Sequence, residues 1–192
     1  MTNKGKYYES QFEEATIELL RESHWQYTFG DDIHRKYTDP LIEEDLRNFL
    51  AVQYKDKNLT TSEIDCIVAN LRNTGGQNDY YALRNAFLLY RDGYDFAYSD
   101  SRDNPFRMEY IDFEHPDHNI FRCVNQFVME QGRENRRPDI LLFINGIPVC
   151  IIELKNPTKQ NATIRDAHTQ ICTRYMRDIP ALLKYCALAV IS

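Results

Sequence analysis

Two short apolar runs, ILLFI and IPVCII, are bounded by charge: Pro138-Asp139 opens the first and Glu153-Leu154-Lys155 closes the second. A carboxylate or ammonium set against such runs is costly unless it is paired or bound to a metal. Glu153 and Lys155 lie two apart on a strand, so they leave the same face while Leu154 points to the other. Asp139 and Glu153 would offer oxygen ligands to Mg2+, a hard cation held by one or two carboxylates, waters and a substrate phosphate. Mn2+ would substitute, and the Leu154 carbonyl would be a further ligand. Such an ion makes water a usable nucleophile near neutral pH and offsets charge developing at phosphorus. Lys155 would orient the attacking water or stabilise the oxyanion. The chemistry expected is metal-assisted phosphodiester hydrolysis, which needs no Ser or Cys nucleophile.

That chemistry depends on register. The two runs are joined at Asn145-Gly146, a strong hairpin signal. In a strict two-residue turn Ile144 faces Ile147, Asp139 faces Ile152, and Asp139 points away from Glu153. A three-residue connection with Gly146 in a left-handed bulge shifts the pairing by one and sets Asp139 opposite Glu153. The site requires that bulge, or a bend that frees Asp139 from the ladder.

Further candidates surround the hairpin. Glu13, with Glu9 its neighbour on one helix face, is a candidate third acidic ligand, direct or through water; a solvated helix charge is the alternative. Gln170 and Tyr175 could contact a phosphate backbone, but they are five apart, about 140° around an α-helix, so only one should face the site. Arg133, Arg136 and Arg137 either grip phosphates or are solvated loop residues. His24, His34, His115, His118 and His168 form no ligand spacing and are assigned no role. The five scattered cysteines read as reduced core thiols.

The elements that must position these residues alternate between helical and strand-like texture. Phe12, Ala15, Thr16, Leu19 and Leu20 recur at helical spacing. Residues 31–100 read as mostly helical: a helix after Asp39-Pro40, a second after a Thr60/Glu63 capping box, and a third ending at Gly93. After Pro105 come FRMEYIDF, NIFRCVNQFVME and the hairpin strands, then a helix from Ala162 stopped by Pro180, and a last apolar strand, YCALAVIS. Helix, three meandering strands, helix, strand is an α/β (mixed-sheet) αβββαβ order. We expect a single domain over residues 1–192, with a helical insertion at about 31–100 and a core of 1–30 plus 105–192. Ending on a buried-looking strand suggests a fragment of something longer.

Composition sets outer bounds. With 43% apolar and 12% aromatic residues the chain is not wholly disordered, and no apolar run approaches the roughly 20 residues that span a bilayer. No membrane partner is expected. The N-terminus lacks the apolar stretch of a secretory signal, so a cytoplasmic location is expected. The net charge of −6 is uneven: residues 131–192 carry +4 and the remainder −10, which places positive charge beside the proposed site.

The P-D…E-x-K pattern resembles the PD-(D/E)xK nucleases. Longer stretches, ESQFEEATIELL, IDFEHPDHNIFRCVNQFVME, NRRPDILLFINGIPVCIIELKNP and TRYMRDIPALLKYCALAVIS, resemble the N-terminal nuclease domain of the R subunit of type I restriction-modification enzymes. The resemblance implies a RecB-like, restriction-endonuclease-like core, with Asp139, Glu153 and Lys155 as the Mg2+-dependent cleavage residues acting on double-stranded DNA. It implies motor domains elsewhere in the subunit, which alone would use ATP, and partnership with modification and specificity subunits. RecB-like nucleases carry Gln and Tyr separated by three residues, whereas Gln170 and Tyr175 are separated by four. That departure puts the role of Gln170 in question and makes Arg174 a candidate to share it. Two other readings are a free-standing repair or recombination nuclease of the same superfamily, and a non-catalytic docking or DNA-binding module built around the acidic helical insertion.

Overall fold

In a computed structural model of the chain, residues 9–100, 103–155 and 164–192 are described. Helix α1 (Glu9–Glu22) leads into strand β1 (Gln26–Phe29). Three helices follow: α2 (Glu43–Gln53), α3 (Thr61–Asn73) and α4 (Asp79–Asp92). The expected capping box forms: Thr60 Oγ1 accepts the Glu63 N–H (3.2 Å) and Glu63 Oε2 accepts the Thr60 N–H (2.9 Å). Asn78 caps α4 through the Tyr81 N–H (3.1 Å), and Gly93, at φ +67°, ends it. The helix after Asp39-Pro40 begins later than its sequence signal suggests, at Glu43.

The β-rich half holds β2 (Tyr94–Phe96), β3 (Phe106–Met108), β4 (Phe121–Asn125), β5 (Met129–Gln131), β6 (Glu134–Arg136), β7 (Ile140–Ile144) and β8 (Ile147–Glu153). After it come α5 (Ile164–Thr169), a π-helical turn (Gln170–Tyr175), α6 (Met176–Asp178), α7 (Pro180–Leu183) and β9 (Leu188–Ile191). The start expected at Ala162 lies outside the described residues, as do all of residues 156–163. Pro180 both ends α6 and occupies the first turn of α7, where its missing N–H costs nothing.

The main sheet runs β1-β4-β7-β8-β9. Strands β4, β7 and β8 form an antiparallel meander, and β9 joins β8 in parallel after the helical crossover, as the αβββαβ order requires. Strand β1, parallel to β4 at the edge, was not foreseen; QYTF is four mostly exposed residues with no alternating pattern. FRMEYIDF yields only β3, which pairs with β2 in a separate ribbon.

Side-chain alternation sorts the core by face. From the hairpin, Ile140, Cys150, Ile152 and Leu154 pack with Ile17 of α1, while Leu141, Phe143 and Ile151 pack with Ile171, Tyr175, Ile179 and Leu182 of the crossover. The helical segment has its own cluster, centred on Leu41, Leu46, Leu50, Ile67, Leu71 and Tyr110. Of the five cysteines, Cys123, Cys150 and Cys186 are buried, and burial raises their thiols, Cys123 to about 12 and Cys150 to about 11. Cys66 and Cys172 are exposed, so the reading of all five as core thiols fails for these two.

Candidate active site

The hairpin turn is Asn145-Gly146, with φ of +51° and +76°, the left-handed pair of a tight two-residue turn. Ile144 therefore faces Ile147, the arrangement that would have sent Asp139 to the wrong side. The pairing nonetheless shifts by one further along: Phe143 faces Pro148, but Leu142 faces Cys150, Leu141 faces Ile151 and Ile140 faces Ile152. The extra residue is Val149 of β8, not Gly146. A bulge inside the strand supplies the shift expected at the turn, and continuing the register by one residue sets Asp139 opposite Glu153.

The turn is held where it is by its neighbours. The fully buried Asn145 side chain accepts the Ile120 N–H (2.7 Å) and donates to the Tyr110 carbonyl (2.9 Å) and Asn119 Oδ1 (2.8 Å). The Gly146 carbonyl accepts the Ile42 N–H (2.9 Å) just ahead of α2.

Glu153, at the end of β8, is completely buried. Its position follows Ile151 on the crossover face, and three donors meet it there. Tyr175 Oη donates to Oε1 (2.7 Å), Gln170 Nε2 donates to Oε2 (2.7 Å), and Lys155 Nζ lies 3.2 Å from Oε2. Lys155 Nζ also donates to the Leu154 carbonyl (3.2 Å). Its backbone is fixed by β9: Lys155 N–H donates to the Ser192 carbonyl (2.7 Å), and Ser192 N–H to that of Glu153 (3.1 Å). Asp139 reaches the same end of the sheet, its Oδ2 accepting the Leu154 N–H (2.8 Å). Burial and then the charge of Glu153 push the Tyr175 hydroxyl far above its ordinary pKa, with Asp139 adding to the effect, so both carboxylates act on one phenol that stays a donor.

Gln170 and Tyr175 are not 140° apart. The backbone between them is π-helical, with the Met176 N–H donating to the Ile171 carbonyl, and i→i+5 bonding places residues five apart over one another. Gln170 Nε2 also donates to Tyr175 Oη (2.7 Å), so both side chains face Glu153. The expectation that only one would do so is corrected. The π turn accommodates the five-residue spacing of Gln170 and Tyr175, and Arg174 on that turn is exposed.

The remaining candidates fall around this centre. Glu13 accepts from Asn125 Nδ2 (2.7 Å) and Gln126 Nε2 (3.1 Å), and Gln126 N–H donates to the Asp139 carbonyl (3.2 Å). Glu13 is thus linked to Asp139 through Gln126. Among the described residues, no group of three ligand atoms includes Glu13, Asp139 and Glu153 together. The Glu9 side chain lies outside the described residues. Arg136 is committed to Asp178 (2.6 Å) and Glu134 (2.7 Å), tying β6 to α6; Arg133 and Arg137 are exposed.

Comparison with known proteins adds to this geometry. The family model described as "Type I restriction enzyme R protein N terminus" matches residues 6–192. The chain is 29% identical over 194 residues to the type I restriction enzyme HindI endonuclease subunit of Haemophilus influenzae, covering 96% of this chain and 18% of that protein. It is 31% identical over 188 residues to a Methanocaldococcus jannaschii protein provisionally named as the type I restriction enzyme MjaIXP endonuclease subunit, covering 94% of this chain and 18% of that protein. The chain spans under a fifth of the length of these relatives. Sharing the family model over nearly its whole length, the chain belongs to the family of N-terminal regions of type I restriction enzyme R proteins.

Proposed function

We propose that this chain is the Mg2+-dependent endonuclease domain of a type I restriction enzyme R subunit, hydrolysing phosphodiester bonds of double-stranded DNA at Asp139, Glu153 and Lys155. The observation that carries the reading is the fully buried Glu153 carboxylate, held by Lys155, Gln170 and Tyr175 at the strand end that Asp139 also reaches. Burying a carboxylate so completely for structure alone is unrewarding, since apolar residues of similar volume serve stability as well.

The donor set suits the ion. Asp139 and Glu153 carboxylates with the Leu154 carbonyl are hard oxygen ligands, with no sulfur or imidazole among them. When bound, Mg2+ supplies positive charge that lowers the barrier to displacement at phosphorus. Gln170 and Tyr175 hold Glu153 in one orientation, and the Leu154 N–H does the same for Asp139. Lys155, three-quarters or more buried and fixed through Ser192, presents its ammonium to the attacking water or to the charge on the phosphate oxygens. Glu13 acts through Gln126 or water. The exposed Arg133, Arg137 and Arg174 are suited to backbone phosphates.

The reading includes the rest of the assembly: motor domains that use ATP, modification and specificity subunits, and a cytoplasmic setting. Among the described residues no helix is long and apolar enough to cross a membrane. The test is duplex cleavage by the assembled enzyme with Mg2+ supplied or withheld, in wild type and Lys155→Ala. Loss of cleavage in both the metal-free reaction and the variant is expected; a variant that cuts at the wild-type rate overturns the assignment.

A further inference from the structure

Far from the strand carboxylates in sequence, Asp112, His115 and His118 bring one ligand atom each to within 4.8 Å of the others. No role was expected of these histidines, which show no ligand spacing along the chain. The local backbone explains the convergence. Residues 116–118 form a 3₁₀ turn, in which positions three apart eclipse, and the His115 and His118 rings stack with centroids 5.0 Å apart. Asp112 Oδ2 lies 3.0 Å from His118 Nδ1 and 3.7 Å from His115 Nδ1. Ligand atoms about 2.0–2.2 Å from a tetrahedral ion stand a little over 3 Å from one another. The two Asp112 separations already suit that spacing, and the widest of the three, within 4.8 Å, closes on it by rotation of the exposed imidazoles.

The surroundings are built as well as the ligands. Asp112 is buried, and its Oδ1 accepts the Glu114 and His115 N–H groups (3.0 and 2.8 Å), while Gln53 of α2 donates to Oδ2 (2.9 Å). Asn119 closes the loop, accepting the Asp112 N–H (2.9 Å) and donating to the Asp112 and Pro116 carbonyls (2.7 and 3.0 Å). The imidazoles are half exposed or more, so an ion can enter. Asn119 Oδ1 also accepts from Asn145 in the hairpin turn.

We propose that Asp112, His115 and His118 form a metal site separate from the cleavage centre, taking one Zn2+ or a similar imidazole-preferring divalent ion. Two nitrogens and one carboxylate oxygen favour such a metal over Mg2+. The bound ion clamps the connection between the helical segment, through Gln53, and the hairpin turn, through Asn119 and Asn145.

The test is calorimetric titration of Zn2+ into the full-length protein carrying no polyhistidine tag. Wild type is compared with His115→Gln, with the double variant His115→Gln/His118→Gln, and with Asp139→Asn. Wild type and Asp139→Asn should share a saturable site that is weakened at least about tenfold in His115→Gln and absent from the double variant. Zn2+ should raise the melting temperature of wild type and leave that of the double variant unchanged. Equal Zn2+ affinity in wild type and the double variant, or no saturable site in wild type, overturns the proposal. Because His115 is exposed, His115→Gln is readable even if the double variant folds poorly.

Discussion

Gln170 and Tyr175 are five residues apart and meet the same carboxylate, because the turn between them is π-helical and stacks them over Glu153. The hydroxyl of Tyr175 both donates to Glu153 and accepts from Gln170. Tyr175→Phe keeps the buried ring and removes only this link, leaving a buried carboxylate oxygen short of a donor. A destabilisation of about 1.5–3 kcal/mol is expected, the usual range for a hydrogen bond to a charged group. Chemical denaturation reads it directly, and a change below about 0.5 kcal/mol would mean that the hydroxyl does not hold Glu153.

The hairpin turn gives a paired prediction. A Cβ on Gly146 would sit 2.1 Å from the Ile42 carbonyl oxygen at φ +76°, whereas one on Gly132, at φ +63°, would meet nothing within 4 Å. Both positions carry the left-handed cost, but only Gly146 adds a clash with backbone. Gly132→Ala should cost about 1 kcal/mol and Gly146→Ala more than about 2 kcal/mol. Equal denaturation midpoints for the two variants would contradict the packing of the turn beneath α2.

What the sequence disclosed and withheld divides along a physical line. The Thr60/Glu63 box, the Asn145-Gly146 turn and the apolar strands flanking it are decided within a few residues, and all were legible. The register shift was legible as a need and misplaced in position. Whether the extra residue sits at Gly146 or at Val149 depends on how Ile42, Asn119 and Ile120 grip the turn, which is a tertiary matter. The π turn was hidden because its inserted residue carries no signature until Glu153 lies opposite. The His115/His118 pair was passed over because its acid, Asp112, lies four residues before a 3₁₀ turn that periodicity does not announce.

Asp139→Asn separates charge from structure at the proposed cleavage centre. The asparagine Oδ1 can still accept the Leu154 N–H that Asp139 Oδ2 accepts at 2.8 Å, so the end of the hairpin keeps its tether. What is lost is one of the two negative charges proposed to hold a divalent ion. Cleavage by the assembled enzyme should fall at least about 100-fold, the scale of losing one well-placed electrostatic group, while folding stability moves by less than about 1 kcal/mol. Cleavage assays alongside thermal melts distinguish the outcomes: wild-type cutting in a well-folded variant would remove Asp139 from the centre.

Alkaline pH tests the burial of the tyrosines, Tyr175 among them. Desolvation is the largest cause raising the hydroxyls of Tyr90, Tyr110, Tyr175 and Tyr185, so in the folded chain they stay protonated where an exposed tyrosine, near pH 10.0, ionises. A raised folded pKa contributes stability that is full below the unfolded value and is lost as pH climbs above it. Each such residue steepens the loss by about 1.4 kcal/mol per pH unit once the unfolded chain ionises. Stability measured by denaturant at pH values from about 9 to 12 should therefore fall with a multi-proton slope. In Tyr175→Phe that slope should be shallower by one proton, even though the variant starts from lower stability at neutral pH. An unchanged slope would place the Tyr175 hydroxyl in contact with solvent, which is incompatible with its bond to a fully buried Glu153.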